Sequence, residues 1–132
     1  MRAALALVLL VVAAGCVDEE TQAVAGRDLF LRYCASCHGI DAKGGGPLAA
    51  SLKRPPADLT TLARRSGAPF DEGAVMATID GRRLVAEHGS REMPVWGVLF
   101  EEEREGQPFQ AYTGQLQSRA LSDYLRSIQV TE

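Results

Sequence analysis

An all-α domain of four to five short helices joined by long loops is the fold class this sequence predicts. Three observations carry it. Apolar residues recur three and four apart in separate stretches of the chain. No stretch alternates apolar and polar residues for long enough to make a strand. The helical stretches are punctuated by glycine and proline, as in Gly44-Gly45-Gly46-Pro47. A chain of 132 residues suits one domain with a modest core. Loops over 40–53 and 82–94 would cost more conformational entropy than their few apolar side chains return, so the chain needs something further to order around.

The first fifteen residues stand outside that fold. A single basic residue, Arg2, precedes an apolar run over 3–14 that ends in Ala13-Ala14-Gly15, the layout of a signal peptide. The run is too short to span a bilayer comfortably. Cys16 follows directly, and Val11-Val12-Ala13-Ala14-Gly15-Cys16 resembles the lipobox of bacterial lipoproteins, in which cleavage exposes a cysteine for lipidation. That family usually has Leu where Ala13 stands, so ordinary cleavage, or an uncleaved anchor, is the competing reading. The chain thus divides into a signal peptide (1–15), a lipidated acidic tether (16–24, with Asp18, Glu19 and Glu20) and a folded domain (25–132). The expected setting is the periplasmic side of a membrane. Losing Arg2 with the leader takes the formal charge from −3 to −4, a balance that argues against nucleic acid as a partner.

Within the domain, the spacing predicts a first helix over 25–36, with Leu29, Phe30 and Tyr33 on its apolar face. Pro55-Pro56 and Asp58 open a second, over 59–66, which Gly67 ends by turning left-handed. Asp71 caps a third that ends near Asp80-Gly81, with Phe70 and Val75 as a hydrophobic staple. Periodicity is lost over 82–94, and the last helix, 115–129, places Ala120, Leu121, Tyr124, Leu125 and Ile128 on one stripe. Glu101-Glu102-Glu103-Arg104-Glu105 reads as an exposed face, with docking to a basic partner as the minor reading. The glycine loop is not a phosphate cradle, because no Gly-Lys-Ser/Thr follows and no strand precedes it.

The chemistry lies in Cys34-Ala35-Ser36-Cys37-His38, the Cys-x-x-Cys-His pattern of covalent haem attachment. Cysteines three apart share one helical face, where both thiols can add to the vinyl groups along one haem edge while the next residue aims its imidazole at the iron. Two other readings compete. A thioredoxin-like dithiol should sit in a βαβ setting, which the pattern does not supply. Half a zinc site would need further ligands, and only His88, Cys16 and carboxylates remain.

With Gly26 and Phe30 ahead of that motif, Met93-Pro94 downstream and Tyr124 in the closing helix, residues 25–128 resemble a bacterial class I (monohaem) c-type cytochrome. The resemblance implies the cytochrome c fold wrapped around one covalently bound haem c. It also implies a crossing of first and last helices near Gly26, with Phe30 and Tyr124 packed there. A second axial ligand is then needed opposite His38, and a thioether would raise the potential. Met93, in the unperiodic segment before Pro94, matches the family's ligand loop. Met76 is better read as core. His88 is the rival, and its ligation would lower the potential. The resemblance assigns Pro47 the carbonyl that accepts the other N–H of His38. Trp96 is read either as a donor to a haem propionate or as core, and Lys53, Arg54 and Arg91 as solvated or propionate-neutralising.

The function implied is one-electron transfer through haem ligated by His38 and Met93, between redox protein partners and without turnover chemistry. A haem sensor or peroxidase-like enzyme with a displaceable Met93 stays open. So does a haem-bearing subunit of a respiratory or dehydrogenase complex.

Overall fold

The computed structural model describes residues 19–67, 69–83, 93–103 and 110–130, and every regular element among them is helical. Two long helices, α1 (Glu19–Tyr33) and α6 (Gln110–Ser127), bracket four short ones: α2 (Ala35–His38), α3 (Leu62–Ser66), α4 (Glu72–Ile79) and α5 (Trp96–Glu102). Single 3-10 turns lie at Ala49–Ser51 and Leu59–Thr61. None of the described helices is long and apolar enough to cross a membrane.

The fold is organised by α1 lying across α6. Gly26 and Phe30 stand four apart on one face of α1, and both are buried. A Cβ on Gly26 would come within 2.6 Å of the Ala120 carbonyl carbon and 2.8 Å of the Tyr124 Cβ. The backbones therefore approach as only glycine allows. One turn on, the Phe30 and Tyr124 rings meet at 5.3 Å, and Leu121 and Leu125 complete the buried stripe of α6. Burying a side chain such as Phe30 contributes about 2–3 kcal/mol.

Polar contacts fasten the other elements to α6. On α4, Glu72 accepts from Arg119 at 3.0 Å and from Arg126 at 2.9 Å. Arg126 also reaches the buried Asp123, which lies 3.6 Å from Arg119, so this interior carboxylate faces two guanidiniums. Past α6, the Gln129 amide donates to the carbonyls of Leu59 and Leu125 at 2.7 Å each, and its oxygen accepts from Ala63 N–H at 3.0 Å. Val130 N–H donates to Thr60 O at 2.9 Å. The chain end is thereby stitched to residues 59–63.

Several elements differ from the sequence-based expectation. The first helix starts at Glu19 rather than residue 25, so residues 19–24, expected in the tether, are helical. Acidic residues near a helix N-terminus favour this, because they complement the helix dipole. That helix also ends early, at Tyr33, and Cys34 begins a separate turn. The second begins as a 3-10 turn capped by Asp58 and continues as α3, ended by left-handed Gly67 (φ 65°) as expected. Asp71 caps α4 by accepting from Ala74 N–H at 2.9 Å, and Phe70 and Val75 both pack on the core. No helix was expected at α5, because the glutamate run masks the four-residue spacing of Trp96 and Phe100. The last helix starts at Gln110, five residues before the expected 115.

Two outcomes follow. Gly26→Ala should destabilise the protein by about 1–3 kcal/mol through overpacking at the crossing, read as a lower midpoint in thermal unfolding. Asp58 has its pKa lowered, first by the Thr60 hydroxyl bond, then by the Thr60 N–H and by the nearby Lys43 and Arg65. A carboxylate depressed in the folded state stabilises fully above its unfolded pKa of about 4, and that stabilisation is lost as pH falls through the folded value. Asp58→Asn keeps a capping oxygen but removes the charge, so it should flatten this acid dependence, as measured by denaturant unfolding at several pH values.

Candidate cofactor site

The site is built where α1 gives way to α2. Cys34 N–H still donates to Phe30 O at 2.9 Å, while Cys34 O accepts from both Cys37 N–H (3.1 Å) and His38 N–H (2.9 Å). The two cysteines thus occupy one turn, continuous with a helix that is anchored at Gly26. Both are half-buried and neither is in a disulfide. Burial pushes the Cys34 thiol up to about 12, and the neighbouring Cys37 adds to the shift. A dithiol oxidoreductase needs the opposite, a depressed thiol pKa. Among the described residues, no three His, Cys, Asp or Glu side chains group as a metal site would require, so half a zinc site has no support there.

After His38 the chain reverses through Gly39 (φ 80°), and the glycine-rich loop folds back on the turn it has just left. Gly44 N–H donates to His38 O at 2.7 Å, Gly46 N–H to Cys37 O at 3.1 Å and Leu48 N–H to Ser36 O at 2.9 Å. These are the carbonyls that a four-residue helix leaves without internal partners. The loop holds the Cys-x-x-Cys-His turn in shape by satisfying them. A Cβ on Gly46 would stand 2.6 Å from the Cys37 carbonyl carbon, which explains a small residue there.

The His38 ring is oriented by a backbone carbonyl. Its Nδ1 lies 3.0 Å from Ala57 O. A carbonyl can only accept, so Nδ1 carries the hydrogen and the ring lone pair sits on Nε2, the atom suited to bind iron. The expected acceptor was Pro47. Pro47 instead lies exposed in the turn that returns Leu48 to Ser36, and Ala57 supplies the carbonyl. Ala57 is brought there by Leu59 N–H donating to Ala42 O at 2.7 Å and by the Asp58 cap beside it. A backbone acceptor leaves no side-chain signal. The available hint was Pro55-Pro56, which stiffens the chain just before Ala57.

The other candidates are dispersed. Met93 is half-buried in the bend that leads into α5. Trp96, the first residue of α5, packs at 5.4 Å from the Tyr33 ring and 6.0 Å from Phe100, so it belongs to an aromatic cluster. Met76 is half-buried on α4 between Val75 and Ala77, and Lys53 and Arg54 are exposed. Cys16, His88 and Arg91 lie outside the described residues. One contact had no counterpart in the sequence reading: Tyr33 Oη donates to Glu103 Oε2 at 2.6 Å.

These residues fit a covalently attached haem. Two thiols share one turn, the next residue is an imidazole with its tautomer set, and Leu59, Leu62, Phe70, Val75 and Trp96 leave apolar surface only partly covered around the small core. The family model described as cytochrome c oxidase, cbb3-type, subunit III, matches residues 21–106, from the first turn of α1 past the end of α5. No curated protein and no solved structure matches the chain. With well over half of its length matched, the chain belongs to the cbb3-type cytochrome c oxidase subunit III family, as an all-helical cytochrome c domain that binds covalent haem c for electron transfer.

Proposed function

We propose that this protein is a monohaem electron carrier in which Cys34 and Cys37 form the two thioether bonds and His38 and Met93 are the axial ligands. The observation that carries the reading is the Nδ1 contact of His38 with Ala57 O at 3.0 Å, at the end of a turn bearing both cysteines. Bound haem supplies the one-electron couple. Ala57 holds the imidazole in one tautomer and one orientation and strengthens its donation through Nε2. Residues 44–48 satisfy the backbone carbonyls of the attachment turn, so that turn has no need to rearrange when charge changes nearby. Met93 supports its assignment by standing half-buried between Pro94 and the unperiodic segment before it. The family points to respiratory redox proteins as partners. The leader directs export, and a lipid on Cys16 tethers the product to the periplasmic side of a membrane.

Optical spectra of the purified holoprotein, oxidised and reduced, test the ligand set. A low-spin spectrum with the ferric iron–thioether charge-transfer band, and little change on adding carbon monoxide or cyanide, is the expected result. Ready binding of either would favour the sensor or peroxidase-like reading. Met93→Ala should abolish the band, and survival of the band in that variant would sink the Met93 assignment. Replacing Cys34 and Cys37 together by Ala should leave haem extractable by acidified organic solvent, whereas the parent retains it. Cys16→Ser should release the protein from membranes, and firm retention there would exclude lipid at Cys16 as the anchor.

A further inference from the structure

We propose that Tyr33 is a positioning residue that clamps α5, and through it the Met93 segment, to the haem-attachment turn. The proposal rests on Met93 being the axial ligand. Tyr33 immediately precedes Cys34, so its backbone is part of the attachment site. Its side chain engages α5 along the helix's whole length. The ring packs on Trp96, the first residue of α5, at 5.4 Å and 53°, and edge-on to Phe100 at 5.3 Å and 67°. The hydroxyl donates to Glu103 at the C-cap, at 2.6 Å. A single side chain thus contacts the start, middle and end of the helix that follows Met93.

The hydroxyl bond is charge-assisted, a neutral donor to a carboxylate, and lies at the exposed edge of α5. That bond, ahead of burial, raises the Tyr33 pKa, which keeps the donor proton in place at neutral pH, while Arg32, 5.9 Å from the ring centre, acts in the opposite direction. The opposite side of α5 has little freedom to give way. A Cβ on Gly97 would stand 2.8 Å from the Asp80 Cβ at the end of α4, and one on Gly114 of α6 would stand 3.3 Å from Gly97 O. With the first turn of α5 pinned between α4 and α6, Tyr33 closes the remaining side.

Only Pro94 and Val95 separate Met93 from α5, and Pro94 has a fixed φ. A displacement of Trp96 therefore passes to Met93 with little slack. A thioether is a weak ligand for ferric iron and is readily displaced by a competing base. How well Met93 holds its place then depends on how firmly α5 is held, and Tyr33 is the link from α5 back to the residues that attach the haem.

The test uses the holoprotein in four variants: Tyr33→Phe, which keeps the ring and removes the hydroxyl, Glu103→Ala, their double, and Met93→Ala as reference. Imidazole titration of the ferric protein reads the ease of displacing Met93. The temperature at which the iron–thioether band disappears is compared with the helix-unfolding midpoint from circular dichroism. Tyr33→Phe and Glu103→Ala should each raise imidazole affinity about threefold to tenfold, the scale of one net hydrogen bond. The double should add little to either single change, because both remove the same contact. The band should be lost at lower temperature with the unfolding midpoint nearly unchanged, and Glu103→Gln, which keeps an acceptor, should restore much of the parent behaviour. Unchanged imidazole affinity in Tyr33→Phe, or band loss that moves only in step with global unfolding, would overturn the clamp. If the band survives in Met93→Ala, the ligand assignment itself has failed, a result distinct from failure of the clamp alone.

Discussion

Where α1 crosses α6, two helix backbones are brought together at Gly26, and the positions of the other elements follow from that contact. Any larger residue would push against the Ala120 carbonyl and the Tyr124 side chain and strain the crossing at which Phe30 meets Tyr124. Phe30 is buried one turn later, and one further turn places Tyr33 and Cys34 at the helix end. The attachment turn is therefore located by a steric condition some ten Å away along α1, at the ordinary rise of a helix. Packing at α6 decides where the Cys-x-x-Cys-His turn sits.

The turn itself is organised by backbone groups. A helix as short as α2 cannot satisfy its own carbonyls, and the amides of Gly44, Gly46 and Leu48 do so in its place. Ala57 adds the acceptor for His38. None of these roles depends on side-chain chemistry, apart from the demand for small residues close to the turn. The result is a turn whose end carbonyls are already paired, with two cysteines and one oriented imidazole beside them. Such an arrangement accords with the electron transfer of the family.

The described core is small: Phe30, Phe100, Tyr124, Ile79, Leu121 and Leu125 are its large buried apolar members, and many apolar neighbours are only half-covered. Small domains bury a limited fraction of their surface, which makes each additional apolar contact count. A bound haem would extend that core, consistent with a fold that otherwise relies on polar stitching. Gln129, with three backbone partners, and Asp123, between two arginines, hold elements whose apolar faces are too short to fix them. Tyr33 does both kinds of work, packing its ring on α5 and bonding its hydroxyl to Glu103.

Some helix ends were legible because their causes are local, although the start of α1 at Glu19 was not. Asp71 and Gly67 end helices through their own conformational preferences, and the spacing of Phe30, Cys34 and Cys37 follows from helix geometry alone. The all-helical class was legible for that reason. The structure alone identified what depends on residues distant in sequence. Ala57 rather than Pro47 faces His38 because Ala42 and Leu59 tie two loops together. Helix α5 forms where a glutamate run hid it, because Trp96 and Phe100 find Tyr33, more than sixty residues earlier, to pack against. By itself the sequence determined the helical class and the Cys-x-x-Cys-His pattern, both of which depend on residues near one another in the chain. Tertiary structure decided which backbone carbonyl orients the imidazole and which side chain braces the helix after Met93, since both contacts exist only once separate loops and helices have met.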